Sequence, residues 1–315
     1  MKFDYTCLGF HTFDALCRPV EAIPPKGDTF FVEEFTLAIS GAAGAAAVVA
    51  AKHGLNVQAV GGIGDDLMGQ WVLQRFAEFN VDTKLLQRIP EMTTSSSIVT
   101  TRHDGQRPAL HKRGATAGFY IDDHQIDRVL DTSILHIGGV GLMDAMDNGR
   151  NVEILQEAQK KEIITTLDVF ASTAEDLSTV SPLLKHTDYF MPSEEEAMAL
   201  SGLTDFDDIA SFLLDKGVGA VILTLGADGV MYRDQSGEKI NIPAFDIDVV
   251  CTCGCGDCFN AGFATGIFLD FSLKDCLRLG QASSAQNALG LGSQAVISSL
   301  EQSLKFMDEH AIRAN

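Results

Sequence analysis

Short apolar runs recur along the chain at Tyr5 to Gly9, Val57 to Val60, Ile134 to Ile137, Ile163 to Leu167 and Ala220 to Leu225. Each has the length of a strand hidden on both faces, and helical periodicity fills the intervals, as in Gly69 to Phe79 and Asp207 to Lys216. Strands that alternate with helices in this way need crossover connections, which predicts an α/β protein built from βα units around a mainly parallel sheet.

Two regions break the rhythm. Phe30 to Ile39 and Ser97 to Lys112 are rich in β-branched and alternating residues, and Asp104-Gly105 is a hairpin turn signal. Without helices of their own to cover them, these strands are expected to pair beside the main domain as a β lid. The expected division is a core of residues 1–10, 38–92 and 115–315 with a lid of residues 11–37 and 93–114.

Charge and composition remove several function classes. With 315 residues and 46% hydrophobic content the chain can bury a large core. A net charge of −20 without a basic cluster argues against nucleic acid or an anionic membrane as partner. The start, Met1 to Tyr5, meets an acid where a secretion signal needs apolar residues, so a cytoplasmic protein is expected. Leu37 to Ala51 is too short and too small-residue-rich to span a bilayer and is expected to be a buried helix. Seven cysteines, four of them between Cys251 and Cys258, are too crowded for a disulfide scaffold.

The segment richest in chemistry is Ile247 to Phe263, which reads as strand, tight glycine loop and helix. Gly254 and Gly256 would let the backbone turn, while Phe259, Phe263 and Ile267 give the helix an apolar face. Free N–H groups and the helix dipole at such a start favour an anion, and a carboxylate there, Asp257, could take the proton of a hydroxyl attacking phosphorus. An isolated Gly-x-Gly-Asp is also explained by an acid that merely complements the dipole.

The spacing Cys251-Thr252-Cys253-Gly254-Cys255-Gly256-Asp257-Cys258-Phe259 resembles, without a gap, the Asp-Thr-Thr-Gly-Ala-Gly-Asp-x-Phe signature of the ribokinase-like (PfkB-type) carbohydrate kinase family. Other stretches are similar in the family's order: Asp14, Ser40-Gly41-Ala42-Ala43-Gly44, Gly61 to Gly69, Gly114 to Ala117, Pro192 to Glu196, and Thr224-Leu225-Gly226-Ala227-Asp228-Gly229. The resemblance implies a Rossmann-like kinase domain with a β lid, ATP and Mg2+ as cofactors, and transfer to a hydroxyl of a sugar-like acceptor. It implies Asp257 as general base, Gly254, Cys255 and Gly256 as an anion hole, Asp14, Gly41 and Arg113 at the acceptor, and Ser193, Thr224, Gly226, Gly229 and Asn287 at the nucleotide. Glu196 would reach magnesium through water.

Departures from the pattern matter as well. Cys251 replaces the aspartate that in the family helps hold a monovalent cation, and a neutral thiol is a poor ligand for potassium. Ala45 replaces an asparagine that bonds a sugar hydroxyl, and Ser193 replaces the asparagine of Asn-x-x-Glu. These losses keep two alternatives open: a degenerate member that binds nucleotide or sugar without turnover, and a nucleoside kinase of the same fold. A zinc or iron–sulfur reading of the cysteines is a third, although they lack paired Cys-x-x-Cys arms. Cys255 and Cys258 at a helix start would be redox-sensitive if the dipole lowered their pKa.

Other candidates carry less. No Gly-Lys dipeptide exists to make a P-loop, and the last glycine of a dinucleotide fingerprint at Gly62 would fall on Leu67. Asp168 at the end of an apolar run fits a ligand crevice or a turn cap equally. One of Arg102, Arg107, Lys112 and Arg113 could meet an anionic acceptor group. Exposed edges of a small lid sheet want covering, which a homodimer joined through the lids would supply.

Overall fold

A computed structural model describes residues 2–313; the ends of the expected core, residue 1 and residues 314–315, lie outside them. Among the described residues the strands are β1 (Phe3–Gly9), β2 (Thr12–Arg18), β3 (Glu34–Ser40), β4 (Val57–Ile63), β5 (Asp82–Arg88), β6 (Ser96–Thr100), β7 (Ala109–Lys112), β8 (Thr132–Val140), β9 (Ile164–Val169), β10 (Tyr189–Phe190), β11 (Ala220–Thr224), β12 (Val230–Asp234) and β13 (Lys239–Ile242). The helices are α1 (Ala42–Lys52), α2 (Leu67–Glu78), α3 (Asp123–Val129), α4 (Asp144–Asp147), α5 (Arg150–Lys160), α6 (Leu177–Leu184), α7 (Glu194–Ser201), α8 (Phe206–Leu214), α9 (Cys255–Phe268), α10 (Leu273–Ala288) and α11 (Leu300–Glu309). None is long and apolar enough to cross a membrane.

Nine strands make the large sheet in the order β13-β12-β11-β10-β9-β8-β1-β4-β5. Pairing is parallel from β11 through β5, and β12 and β13 add an antiparallel edge. Alternation along β1 sends Leu8 into a core with Val60, Leu135 and Leu167, and Tyr5 and Cys7 into a second core with Val57, Ala59 and the alanines of α1. Both faces are therefore covered, which is why these strands read as continuous apolar runs. Each fully buried Leu or Phe in these layers stabilises the fold by about 1.5–3 kcal/mol. The chain leaves β1 toward β4 on one side and β8 on the other, so strand order reverses beside it, which is where open α/β sheets take ligands at the carboxyl ends of their strands.

A second sheet, β3-β2-β6-β7, stands apart from the first. Strand β2 was not foreseen as such; it pairs antiparallel with β3 and parallel with β6, and β6 forms a hairpin with β7. The Asp104-Gly105 turn lies in that hairpin, with Gly105 N–H donating to the Arg102 carbonyl at 3.1 Å.

Three expectations are corrected. Leu37 to Ala51 is not one helix, because β3 runs through Ser40 and Gly41, at φ 83°, turns the chain into α1. The strand expected at Ile247 to Val250 is absent: the Val250 amide donates to the Ala288 carbonyl at 2.7 Å, so this stretch crosses the end of α10 and not a sheet edge. Residues 30–33 precede β3 without joining it.

Candidate active site

Helix α9 opens at Cys255, at the end of the glycine loop. Gly254 N-caps it with φ 75°, and a Cβ there would lie 2.5 Å from Ser293 Oγ, so only glycine fits both the conformation and the space. Gly256 is different: it is helical and exposed with nothing within 4 Å of a Cβ, so the turn does not require it. The amides of Gly254 and Gly256 have no hydrogen-bond partner among the described residues, whereas Cys255 N–H donates weakly to the Thr252 carbonyl at 3.3 Å. The helix start thus keeps free donors at its positive end.

Asp257 follows one residue later, partly buried. Burial pushes its carboxyl up to about 6; Arg107 pulls it down, while Glu196 and Asp14 push it further up. Asp168, at the end of β9, is buried and its carboxyl is raised well above the usual range by burial and by the charges of Glu196 and Asp257, against a bond from Asn260. Acids from β2, β9, α7 and α9 are thereby gathered at one place, although among the described residues no three His, Cys, Asp or Glu side chains converge closely enough to chelate an ion directly.

The lid contributes Asp14 and Arg107. Asp14 on β2 is buried and accepts from Thr12 Oγ1 at 3.4 Å; burial raises its pKa against the pull of Ser97 and Ser40. Arg107, on the β6–β7 hairpin, carries a guanidinium within the field of Asp257 and of Cys251, Cys253 and Cys255. That hairpin is fastened to the loop ahead of α9. Thr252 donates to the Gly105 carbonyl through Oγ1 at 3.3 Å, Gly105 leaves no room for a Cβ against Val249, and Thr101 Oγ1 lies 3.4 Å from Cys251 Sγ.

Ser193 N-caps α7 in a capping box: Glu196 Oε2 accepts from both the amide and the hydroxyl of Ser193, at 2.9 and 2.8 Å. One oxygen of Glu196 is therefore spent locally and the other remains. Thr224 ends β11 in a parallel bridge with Ser193, and Gly226 and Gly229, at φ 53° and 99°, bound the tight turn that follows.

Some residues singled out in the sequence have partners within the protein. Arg113 pairs with Asp144 at 2.7 Å and donates to the Gly141 carbonyl at 3.1 Å. Asn287 spends both amide hydrogens on Cys253 O and Cys255 Sγ, at 2.7 and 3.3 Å, and accepts from Gln294 N–H at 2.6 Å; it holds the loop and has no donor left for a nucleotide. Gly41 caps α1. The four clustered cysteines point apart: Cys251 toward Thr101, Cys253 toward Ser293, Cys255 toward the Ser284 carbonyl, and Cys258 into the core. Burial raises Cys255 to about 11 and Cys258 well above the usual thiol range, so the dipole argument for reactive thiols fails against desolvation. His11, His53 and His136 are buried and pushed down to about 4, which keeps them neutral core residues.

Asn260 escaped the sequence reading altogether. It lies on α9 one turn after the glycine loop, fully buried, and donates Nδ2 to Asp168 Oδ2 at 2.6 Å. Its signal was a polar residue on an otherwise apolar helix face beside Phe259 and Phe263.

The family model described as pfkB family carbohydrate kinase matches residues 10–300. A ribokinase of Haemophilus influenzae is 28% identical, with the alignment covering 99% of this chain and 100% of that protein. Arabidopsis thaliana ribokinase, solved with ribose and ATP, superposes with a TM-score of 0.83 at 21% identity, over 98% of this chain and 99% of that one. A putative ribokinase II from E. coli, in complex with ATP and Mg2+, gives a TM-score of 0.84 at 20% identity, over 98% and 100% of the two chains.

Proposed function

Because the chain belongs to the pfkB family of carbohydrate kinases, we propose that it transfers the terminal phosphoryl group of ATP to a hydroxyl of a sugar-like acceptor, with Asp257 as the base. The observation that carries this reading is the pairing of free Gly254 and Gly256 amides with a carboxyl poised at about 6. A base at that pKa is mostly ionised at neutral pH and still able to take a proton from a hydroxyl as it attacks. Amides at the start of α9 would stabilise charge growing on the transferred group.

Residues 11–37 and 93–114 act in this reading as a lid that closes the acceptor side, with Asp14 as the acceptor's hydrogen-bond partner and Gly41 beside it. The turn from Thr224 to Gly229, together with Ser193, would line the nucleotide. The charges of Glu196 and Asp257 raise the Asp168 pKa, and Glu196 raises that of Asp257, a crowding of negative charge that a divalent cation relieves. Mg2+ supplies charge neutralisation at the phosphates when bound, and Glu196 would hold it through water with Asp168 alongside. The Cys251 thiol is engaged with Thr101 and accepts from Cys253 N–H at 3.4 Å, which supports transfer without a monovalent cation at that position.

The outward face of the lid sheet supports a homodimer. Leu37, Ala15, Ile98 and Leu110 form one row across four strands, and Leu37, Ile98 and Leu110 are 40%, 54% and 60% exposed. An apolar row of this kind on a sheet is a self-association surface.

The direct test is ADP release, coupled to a second enzyme, over a panel of neutral sugars, sugar acids, sugar phosphates and nucleosides in the presence of MgATP. Turnover with one class is expected. Nucleotide binding with no turnover on any of them would favour a regulatory protein.

A further inference from the structure

Successive residues of a strand face opposite sides of its sheet, so one step in register from the outward apolar row lies a row on the inner face of the lid. Pairing puts Asp14 on β2 beside Ser97 on β6, and Ser97 beside His111 on β7. These three are bonded along the row: Ser97 pulls the Asp14 carboxyl down as a hydrogen-bond donor, and Ser97 Oγ lies 3.0 Å from His111 Nδ1. Phe10, which follows β1, meets the far end of the row from the core side. Its side chain fits against Gly41 and Gly139, where a Cβ would come within 2.9 and 2.6 Å of it, and its ring stands edge-on to that of His111 with centroids 5.4 Å apart. The row therefore has Asp14, within the field of Asp257, at one end and His111, held on two sides, at the other.

We infer that His111 selects the acceptor: its Nε2 takes a hydrogen bond from a hydroxyl on the part of the acceptor beyond Asp14, so the site admits a neutral polyhydroxyl compound and turns away one that ends there in phosphate or carboxylate. This assignment rests on the function proposed above.

The count of hydrogens fixes the direction of each bond. A serine hydroxyl has one. Ser97 spends it on Asp14, so toward the ring it can only accept, and the hydrogen of a neutral His111 sits on Nδ1. Nε2 is then a bare lone pair with no partner among the described residues. Burial lowers the His111 pKa, and the charge of Arg113 lowers it further against the pull of Asp14, which keeps the ring neutral. Two acceptors are thus offered by the row, the Asp14 carboxylate and Nε2, and each needs a donor across from it. An anionic group supplies none and meets the charge of Asp14; Arg113, the cation near His111, is bonded to Asp144 and to the Gly141 carbonyl. The backbones of β2 and β7 stand two strand spacings apart, about 10 Å, so the hydroxyl that reaches His111 is a different one from that which meets Asp14.

The test starts with the wild-type protein labelled with 15N in its histidines. Before any ligand is added, the His111 ring, assigned by its absence in His111→Leu, should show Nδ1 protonated and Nε2 bare; the opposite tautomer overturns the proposal. Calorimetry in the presence of Mg2+ and the non-hydrolysable analogue AMP-PNP then compares D-ribose, D-fructose, D-glucose and adenosine with ribose 5-phosphate, fructose 6-phosphate and gluconate. A neutral compound should bind best and should shift the Nε2 resonance. His111→Leu should weaken it about tenfold, His111→Gln, which keeps an acceptor atom, should restore most of the loss, and AMP-PNP affinity should not follow either change. Deoxy analogues of that compound, taken one hydroxyl at a time, should include one that loses about tenfold against the wild type and nothing against His111→Leu. Preference for an anionic compound, binding indifferent to His111→Leu, or binding of none of the seven overturns the assignment. Where a compound binds in this pattern yet no ADP is released from MgATP, the kinase reading is what fails, and the role of His111 in recognition stands.

Discussion

Asn287 on α10 donates Nδ2–H to the Cys253 carbonyl at 2.7 Å, so the loop that opens α9 is fastened from the neighbouring helix. Asn287→Ala leaves that carbonyl and the Gln294 amide unpaired in a buried place, which costs about 1–3 kcal/mol. A lower melting temperature is expected, together with a fall in kcat, both read on the same preparation.

Asp257→Asn keeps the shape of the side chain and removes its capacity to take a proton. AMP-PNP affinity should stay within a small factor of wild type while kcat falls by about 10²–10⁴. Full turnover by this variant would sink the assignment of the base.

The pH profile follows from the raised carboxyl. A base must be ionised to act, so kcat/KM should be flat above the Asp257 pKa and fall as pH drops through about 6. Arg107 pulls that pKa down, and Arg107→Ala should therefore move the acid limb toward higher pH. A limb that does not move would mean that Arg107 is remote from the base during turnover.

The two glycines of the loop should answer differently to the same change. Gly254→Ala meets Ser293 at a left-handed backbone position and should cost about 1–3 kcal/mol of stability. Gly256→Ala has open space and helical backbone, so its melting temperature should equal or exceed that of wild type. A loss of turnover in Gly256→Ala would then report on what approaches that amide from the crevice.

For the lid surface, Ile98→Glu with Leu110→Glu places charges in the middle of the apolar row. Sedimentation velocity should show a dimer for the wild-type protein and a monomer for the double variant. A wild-type monomer would remove the dimer from consideration.

The sheet was legible in the sequence because parallel strands buried on both faces carry an unbroken apolar run, as β4 and β8 do. The second sheet was half legible. Its hairpin had a turn signal, but β2 mixes Thr12, Asp14 and Arg18 with apolar residues because one side faces Asp14's neighbours and the other the surface. Ile247 to Val250 looked like a strand because alternation alone cannot tell a sheet edge from a segment laid over a helix end. In the candidate site, Gly254 and Asp257 were marked by the resemblance of their loop to the family signature. Asn260 and the loop-holding role of Asn287 were not, since each depends on a partner 92 or 34 residues away.

The bond from Thr252 to the Gly105 carbonyl joins the tip of the β6–β7 hairpin to the loop that starts α9. If the proposed lid opened by this hairpin swinging aside to release product, Gly105 and Arg107 would leave with it, and Thr252 would lose its prop in the same stroke. Letting go of what was made and dismantling the machinery that made it would then be a single motion, leaving an open enzyme poorly equipped to waste ATP on water.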